Sequence, residues 1–210
     1  AHFDFQEMNI EFVGARKESY DRKTRKPIVE DGTFEEDISR RDFTINTLAI
    51  SLNINEIGKL IDKFDGLSDI KNQLIKTPLD PFNTFDDDPL RIMRAFRFAS
   101  QLNFNVDESI IIAAKEMRER LAIVSQERIT DEFLKILASP RPSIGLQLLF
   151  DSSVLEIVFP EISIMAGVDQ RKDYHHKDVF LHTLQVVDNI CKQTDDVWLR
   201  FAALVHDIAK

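Results

Sequence analysis

The sequence predicts a short α+β segment followed by a body built almost entirely of helices. Apolar and polar residues alternate over Met8–Val13, with Ile10 and Phe12 on one face and Glu11 on the other, as in a half-buried strand. From Asp86 onward the apolar residues recur at helical spacing almost without interruption. The chain has 210 residues, of which 43% are hydrophobic and 30% charged, so it can bury a substantial core.

Three elements are predicted between the first strand and the helical body. Lys17–Pro27 is polar and basic and is expected to be a connector. Phe34–Leu52 is predicted to be a helix, because acidic residues fill its first turns, where they suit the helix dipole. Ile57–Asp62 is predicted to be a short strand that ends at the turn residues Asp65 and Gly66.

The first long helix of the body is expected to begin at Asp86. Pro89 lies near its start, where the missing N–H costs little, and Leu90, Met93 and Phe96 contribute to a broad apolar face. Further helices are predicted at Glu108–Arg120, Glu127–Ala138, Pro142–Phe150, Val179–Lys192 and Val197–Ala209.

The overall charge is acidic, but its distribution is uneven. The formal net charge of −9 argues against unspecific binding of nucleic acid over the whole surface. Arg16–Lys26 is nevertheless basic, and three further arginines fall close together after residue 90, so a local basic groove on an acidic body is possible. The one cysteine, Cys191, has no partner for an internal disulfide, which fits a reducing cytoplasm. No apolar run approaches the roughly 18 residues of a membrane-spanning helix, so we expect no membrane partner.

Arg41, Asp42 and Asn46 form the first group of candidate functional residues. On a helix, Asp42 and Asn46 share a face, with Arg41 beside it. A carboxylate and an amide side by side can hydrogen-bond a ribose, while an arginine pairs with phosphate. The alternative is an exposed helix surface with ion pairs and no ligand.

The second group lies at the start of the long helix. Arg91, Arg94 and Arg97 advance by three and form one slowly turning ridge, and Asp88 is placed to pair with Arg91. A guanidinium held rigid by such a pair can recognise the edge of a base. The alternative is a capped helix with a charged face in solvent.

His182, His206 and Asp207 form the third group. Two histidines and a carboxylate on neighbouring helices are suitable ligands for a divalent metal, which can activate water for phosphoester hydrolysis. A His-Asp dipeptide is common, however, and a purely structural role is the alternative. His175 and His176 are either loop residues or contacts to a substrate.

Five blocks of the sequence occur in the order found in one family. Arg40–Ala49 (RRDFTINTLA) resembles the block with which class II tRNA CCA-adding enzymes and bacterial poly(A) polymerases bind the ribose and phosphates of the incoming nucleotide. Ile61–Ile70 resembles the next block, which links head to neck, and Phe85–Leu102 resembles the helix that selects CTP or ATP. Arg128–Leu137 resembles the helix that stabilises the neck, and His175–Lys210 resembles the opening of an HD domain.

The resemblance implies three domains. Residues 1–77 would be the C-terminal part of a nucleotidyltransferase head with a polymerase-β-like α+β fold. Residues 78–172 would form a helical neck and body that selects the nucleotide and binds tRNA. Residues 173–210 would be the start of an α-helical HD domain.

The resemblance also assigns roles to individual residues. Arg41, Asp42 and Asn46 would hold the sugar and phosphates of the nucleotide, and Asp88 and Arg91 would read its base.

Four further positions are assigned in the same way. Asp87 stands where the family often has the longer glutamate, and Arg94 and Arg97 would contribute to the nucleotide pocket. Glu11 lies where the family has a strand carboxylate that assists the catalytic metals.

One part of the family pattern is missing from the sequence. The family's catalytic centre begins with a Gly-rich GGxVRD turn and a DxD pair that holds two Mg²⁺ ions. Neither occurs here, so the resemblance implies a piece that starts downstream of them and is inactive by itself. The resemblance also makes His182, His206 and Asp207 candidate ligands for a divalent metal in the HD domain.

The expected function is therefore addition of CCA, or part of it, to the 3′ end of tRNA from CTP and ATP. A poly(A) polymerase of the same family is the nearest alternative. An HD-type metal-dependent phosphohydrolase and a non-catalytic tRNA-binding module are alternatives from other classes.

Overall fold

The computed structural model describes residues 1–19, 28–167 and 178–208. Short strands dominate the first part and helices the rest, as the sequence predicts. Within these residues the strands form four separate two-stranded sheets. Three are antiparallel: β1 (His2–Phe5) with β2 (Met8–Glu11), β3 (Arg16–Ser19) with β4 (Ile28–Asp31), and β5 (Ala49–Ile50) with β6 (Leu60–Ile61). The fourth is parallel and pairs β7 (Leu74–Ile75) with β8 (Asn105–Val106).

The helices follow the strands in chain order. Their bounds are α1 Phe34–Ser39, α2 Gly66–Lys71, α3 Pro81–Asp87, α4 Leu90–Leu102, α5 Glu108–Met117, α6 Gln126–Leu137, α7 Pro142–Asp151, α8 Leu155–Val158, α9 Pro160–Ser163, α10 Val179–Ile190 and α11 Val197–Val205. Two 3₁₀ helices lie at Thr44–Asn46 and Arg118–Ile123.

Helix α4 lies at the centre of the hydrophobic core. Ile92, Met93 and Phe96 on this helix are fully buried, and α4 packs against both α6 and α7. Helix α10 adds Phe180 and α11 adds Leu204 to the same apolar cluster. Burial of such side chains is the main favourable term in folding, so the helices of the body and the last two helices are stabilised together.

The prediction of a single helix over Phe34–Leu52 is wrong. Helix α1 begins with a capping box between Thr33 and Glu36, but it ends at Ser39. Phe43 is extended, at φ −133° and ψ 150°, and its ring is fully buried. Tertiary packing of this ring overrides the local helical pattern, whose propensity is only a weak force.

The long helix of the body does not begin at Asp86, contrary to the prediction. Asp86 and Asp87 end α3, and Asp88 is extended at φ −143° and ψ 99°. Pro89 explains this break, because its ring disfavours helical geometry at the residue before it. Helix α4 then begins at Leu90, with Pro89 at its N-cap.

Other predicted elements are confirmed in type and differ in length. The strand over Met8–Val13 ends at Glu11 as β2, and the strand over Ile57–Asp62 shrinks to β6. The predicted connector Lys17–Pro27 contains β3 up to Ser19, and residues 20–27 lie outside the described residues. The short helices α8 and α9 were not predicted. None of the helices in the described ranges is both long and apolar enough to cross a membrane.

Replacing Gly145 with alanine is expected to lower the free energy of unfolding by about 1–3 kcal/mol. A Cβ at Gly145 would overlap Oγ of Ser100 and lie 2.9 Å from Cγ2 of Ile136. Ser100 is held in place, because its fully buried hydroxyl accepts the Gly145 N–H at 2.7 Å. Gly14→Ala is the control, since a Cβ there would have no atom within 4 Å among the described residues other than Gly14 and its two chain neighbours. Urea denaturation measures both variants, and equal stability of the two would contradict the packing described.

Candidate functional site

A polar cavity of about 620 Å³ lies where the segment after α1 meets the N-terminal half of α4. We call it the arginine cavity. Its lining residues are Arg40, Arg41, Asp42, Asn46, Asp88, Arg91, Arg94, Phe98 and Arg128. Five arginines face two aspartates, so the cavity is positive in a chain whose formal net charge is −9. Six of these residues were singled out in the sequence, and the structure brings them together.

Asp42 connects the two segments that form the cavity. Its Oδ1 accepts hydrogen bonds from the Phe43 N–H and from Nδ2 of Asn46, both at 2.9 Å. Its Oδ2 accepts from Nε of Arg94 at 2.8 Å and from Nη2 at 2.5 Å. Asp42 and Asn46 therefore meet as predicted, although a turn and a 3₁₀ helix, not an α-helix, bring them together.

The Asp42 carboxylate is buried, being only 8% exposed. Burial raises its pKa, but the charge of Arg94 and the hydrogen bonds from Asn46, Arg94 and the Phe43 N–H together lower it below the ordinary aspartate value. The group is therefore ionised at neutral pH and forms a charge-assisted pair with Arg94.

A second layer of contacts supports the turn that carries Asp42. The Thr44 hydroxyl donates to Oδ2 of Asp69 at 2.6 Å, and both side chains are buried. The Thr44 N–H donates to the Lys76 carbonyl at 2.8 Å. Gly66 in α2 lies so close that a Cβ would overlap the Thr44 carbonyl oxygen. The block around Thr44 is thus fixed by α2 and by the strand β7 region.

Arg91 is the most buried arginine of the cavity, being 9% exposed. Its Nη2 donates to the Arg40 carbonyl at 2.7 Å, and its Nη1 donates to the Thr84 carbonyl at 3.3 Å. The carboxylate of Asp88 accepts the Leu90 N–H at 3.1 Å at the start of α4. The guanidinium of Arg91 is therefore held in place by backbone carbonyls, and its predicted pairing with Asp88 stays a prediction.

The side chains of Arg94 and Arg97 on α4 point in different directions. Arg94 turns towards Asp42, whereas Nε of Arg97 lies 3.0 Å from Oε2 of Glu132 on α6. Arg97 also lies over the Phe98 ring, 4.2 Å from its centroid, in a cation–π contact. Burial lowers the pKa of Arg97, and the charge of Glu132 opposes this shift. Arg97 packs behind the cavity wall and does not line the cavity.

Two further sequence candidates also lie outside the cavity lining. Asp87 is the last residue of α3 and is half-buried. It directly precedes Asp88, which lines the cavity. Glu11 ends β2, is exposed, and pairs in register with His2.

His182, His206 and Asp207 come together as the sequence predicts. Their ligand atoms all lie within 4.8 Å of one another. Nδ1 of His206 lies 2.7 Å from the Ala203 carbonyl, which leaves Nε2 facing Oδ2 of Asp207 at 3.3 Å. A hydrogen bond from the other ring nitrogen is the usual way in which a metal-ligating histidine is oriented. His175 and His176 lie outside the described residues.

Sequence reasoning missed Arg40, Phe98 and Arg128 as cavity residues. Arg40 directly precedes a candidate block, so its position was a usable signal. Phe98 gave only an apolar signal in the sequence, which does not distinguish a cavity wall from the core. Arg128 carried no local signal, because only the packing of α6 on α4 brings it to the cavity.

Two family models match the chain. The model described as the poly(A) polymerase head domain matches residues 1–76. The model described as the probable RNA- and SrmB-binding site of polymerase A matches residues 103–165.

Similar proteins with curated names are much longer than this chain. A tRNA nucleotidyltransferase, cca2, from Schizosaccharomyces pombe is 38% identical over 73% of this chain and 32% of its own length. A multifunctional CCA protein from Vibrio campbellii is 37% identical over 85% of this chain and 44% of its own length. The chain thus spans less than half of either relative.

A solved structure shares the fold over nearly the whole chain. It is the crystal structure of a tRNA nucleotidyltransferase complexed with a primer tRNA and an incoming ATP analog. It matches with a TM-score of 0.71 and 31% identity, covering 97% of this chain and 56% of that chain. This match confirms the predicted fold class.

Replacing Asp42 with asparagine is expected to lower the free energy of unfolding at pH 7 by about 1–3 kcal/mol, because Arg94 loses its charged partner. The pKa of Asp42 is depressed in the folded state. Its stabilising contribution is therefore complete above the ordinary carboxyl pKa of about 3.9 and is lost as the pH falls through the lower folded value.

Urea denaturation between pH 7 and pH 2 tests this prediction. The gap in stability between the wild-type chain and Asp42→Asn is expected to narrow as the pH falls. The control is Asp131→Asn, at an exposed position on α6. A gap that stays constant with pH would show that the pairing of Asp42 with Arg94 is not the cause.

Proposed function

Because this chain belongs to the family of tRNA nucleotidyltransferases and poly(A) polymerases, we propose that its arginine cavity binds an incoming nucleotide. The proposed reaction adds CCA, or part of it, to the 3′ end of tRNA from CTP and ATP. The 3′-hydroxyl of the RNA attacks the α-phosphate of the nucleotide, and pyrophosphate leaves. The observation that carries the proposal is the meeting of Arg41, Asp42, Asn46, Asp88, Arg91 and Arg94 around one positive cavity.

The charge of the cavity suits a triphosphate. Arginine presents its N–H donors in a planar fork that matches phosphate oxygens. Arg41 is half exposed and pairs with Asp37 at 3.3 Å, so its guanidinium is accessible from the cavity. In a site partly shielded from water, such donors stabilise the negative charge that develops during phosphoryl transfer.

The hydrogen bonds of Asp42 refine its proposed role. A carboxylate offers about four acceptor positions, and four donors already occupy those of Asp42. We therefore assign Asp42 to positioning Asn46 and Arg94. The amide oxygen of Asn46 remains available to accept a hydrogen bond from a ribose hydroxyl.

Asp88 and Arg91 are proposed to read the base. Arg91 donates to two carbonyls and keeps further N–H groups for a ligand, while its position is fixed. Asp88 is anchored by the Leu90 N–H at 3.1 Å and lines the same cavity. A fixed donor beside a fixed acceptor can discriminate between base edges, because a mismatched base leaves buried polar groups unpaired.

The domain division predicted from the sequence remains a proposal. It assigns residues 1–77 to the head, 78–172 to the neck and body, and 173–210 to the start of an HD domain. The arginine cavity then lies at the junction of head and body, since Arg41 and Asp42 come from the first part and Arg91, Arg94 and Arg128 from the second.

The family uses a divalent metal in nucleotidyl transfer, and we propose Mg²⁺. Asp42 and Asp88 are the carboxylates that line the arginine cavity, and the acceptor positions of Asp42 are occupied. These residues do not fit a two-metal centre, so the Mg²⁺ ligands are proposed to come from a DxD pair outside this sequence.

A second candidate function is metal-dependent phosphoester hydrolysis at the histidine cluster. The observation that favours it is the convergence of His182, His206 and Asp207, with Nε2 of His206 turned towards the carboxylate. Two imidazoles and a carboxylate suit Zn²⁺, Mn²⁺ or Fe²⁺, and a bound metal supplies an activated water. The cluster lies at the ends of α10 and α11, apart from the arginine cavity.

Extension of tRNA tests the proposed transferase. The full-length protein that contains this sequence is incubated with radiolabelled tRNA ending at the discriminator base, with CTP, ATP or both. Addition of CCA, or of its C or A part, is expected. Long A-tails would assign the protein to the poly(A) polymerases, and failure to extend any tRNA would contradict nucleotidyl transfer.

The same assay tests the base-reading role of Asp88. Asp88→Asn keeps an acceptor for the Leu90 N–H but loses the charge, so the fold is retained. The preference for the correct nucleotide, as the ratio of kcat/KM values, is expected to fall on the order of 10-fold. Asp86→Asn is the control, because Asp86 pairs with Arg120 at 3.2 Å and does not line the cavity. Unchanged preference in Asp88→Asn would remove Asp88 from base recognition.

Metal binding at the histidine cluster is testable by thermal unfolding. Mn²⁺ or Zn²⁺ in excess of its Kd is expected to raise the Tm of the wild-type protein, because a ligand that binds only the folded state stabilises it. EDTA reverses the shift, and His182→Gln abolishes it. His2→Gln is the control, since His2 lies in β1. A shift of equal size in His182→Gln would place the metal elsewhere.

A further inference from the structure

Arg128 stands apart from the other cavity residues in its origin. It lies in the first turn of α6, whereas the other lining residues come from the α1–Asn46 segment and from Asp88 to Phe98. The side chain is exposed and lines the arginine cavity. Helix α6 thus contributes one cationic group to a site that is otherwise built from two other segments.

The backbone of α6 at Arg128 is held in a defined position. Helix α6 is anchored to α4 by the ion pair between Glu132 and Arg97, at 3.0 Å, in which both side chains are largely buried. Ile129 and Phe133 of α6 are buried in the common core. Arg97 in turn packs on Phe98, which is part of the cavity wall. The backbone at Arg128 therefore keeps a fixed position relative to α4.

The other four arginines of the cavity have partners within the protein. Arg40 and Arg41 pair with Asp37 at 2.7 Å and 3.3 Å. Arg94 pairs with Asp42, and Arg91 donates to backbone carbonyls.

Arg128 differs from all four. Over residues 1–19, 28–167 and 178–208 its guanidinium forms no hydrogen bond or ion pair, although acidic neighbours lie close in the sequence. Glu132 is occupied by Arg97 and Lys135 instead. Within the part of the chain that the structure describes, Arg128 is therefore the arginine of this cavity whose guanidinium has neither a hydrogen-bond nor an ion-pair partner.

We propose that Arg128 binds a phosphate group of the substrate. Its planar fork suits phosphate oxygens, and its side chain lines the same cavity as the residues proposed to bind the nucleotide, so the phosphate would lie inside the arginine cavity. The phosphate belongs either to the triphosphate of the incoming nucleotide or to the RNA backbone at the 3′ end beside it. The inference rests on the proposed function and extends it to a residue of α6.

Steady-state kinetics of the full-length protein test the proposal. Arg128→Gln removes the charge at an exposed position without a protein partner, so folding is not disturbed. Arg141→Gln is the matched control, because Arg141 is exposed, lies near the C-terminal end of α4 and bonds Asn103. Arg128→Gln is expected to raise either the KM for the nucleotides or the KM for tRNA about 10-fold. Arg128→Lys, which keeps the charge but loses the planar fork, is expected to raise the same KM less.

Two arms of the experiment identify the phosphate. If the nucleotide supplies it, the KM values for CTP and ATP rise together at saturating tRNA, while the Kd for cytidine, which has no phosphate, stays unchanged. If the RNA supplies it, the KM for tRNA rises at saturating nucleotide. The association constant for tRNA then also depends less on salt, and the slope of its logarithm against log salt becomes smaller in magnitude by about one. Both KM values staying within about twofold of the wild type, as in Arg141→Gln, would overturn the proposal.

Calorimetry with inorganic tripolyphosphate tests the phosphate contact of Arg128 independently of nucleotidyl transfer. If the wild-type protein transfers no nucleotide to tRNA, the transferase proposal fails. Calorimetric binding of inorganic tripolyphosphate to the wild type and to Arg128→Gln then still tests the arginine. Weaker binding by Arg128→Gln supports a phosphate contact, and equal binding contradicts it.

Discussion

The pairing of the buried Asp42 carboxylate with Arg94 is the interaction on which the candidate site depends. One carboxylate accepts four hydrogen bonds and so joins the turn after α1 to the central helix α4. A buried charge is tolerated only when it is paired and hydrogen-bonded, so loss of either partner leaves the other unpaired at a cost of about 1–3 kcal/mol. The positions of Asn46 and of the Arg94 guanidinium both follow from this one contact.

The charge of the cavity follows from how its arginines are held. Arg91 is fixed by neutral carbonyls and Arg128 has no protein partner in the described ranges, so their charges are not cancelled as that of Arg94 is. The cavity therefore stays positive inside an acidic chain. Such a focused field attracts a polyanion to one place and discourages unspecific binding elsewhere. This electrostatic pattern is consistent with the proposed binding of a nucleotide triphosphate.

Sequence alone identified the helical body, the fold class and most of the cavity, because helical periodicity and the RRD and DDDPLRIMR blocks are local signals. It failed where tertiary contacts decide the backbone. Phe43 leaves the helical pattern because its ring is buried, and Asp88 leaves it because proline follows. Arg97 was predicted to contribute to the pocket, but Glu132, 35 positions later, turns it away. Arg128 was missed because only the packing of α6 on α4 places it at the cavity.

A crystal structure of the full-length protein with CTP would show whether the arginine cavity binds the nucleotide. We expect electron density for the triphosphate in the arginine cavity, within hydrogen-bond distance of Arg41 and Arg128. The Asp42–Arg94 pair would be intact, and the base would lie beside Asp88 and Arg91. Density for CTP at another place, with the arginine cavity filled only by solvent, would contradict the proposed binding site.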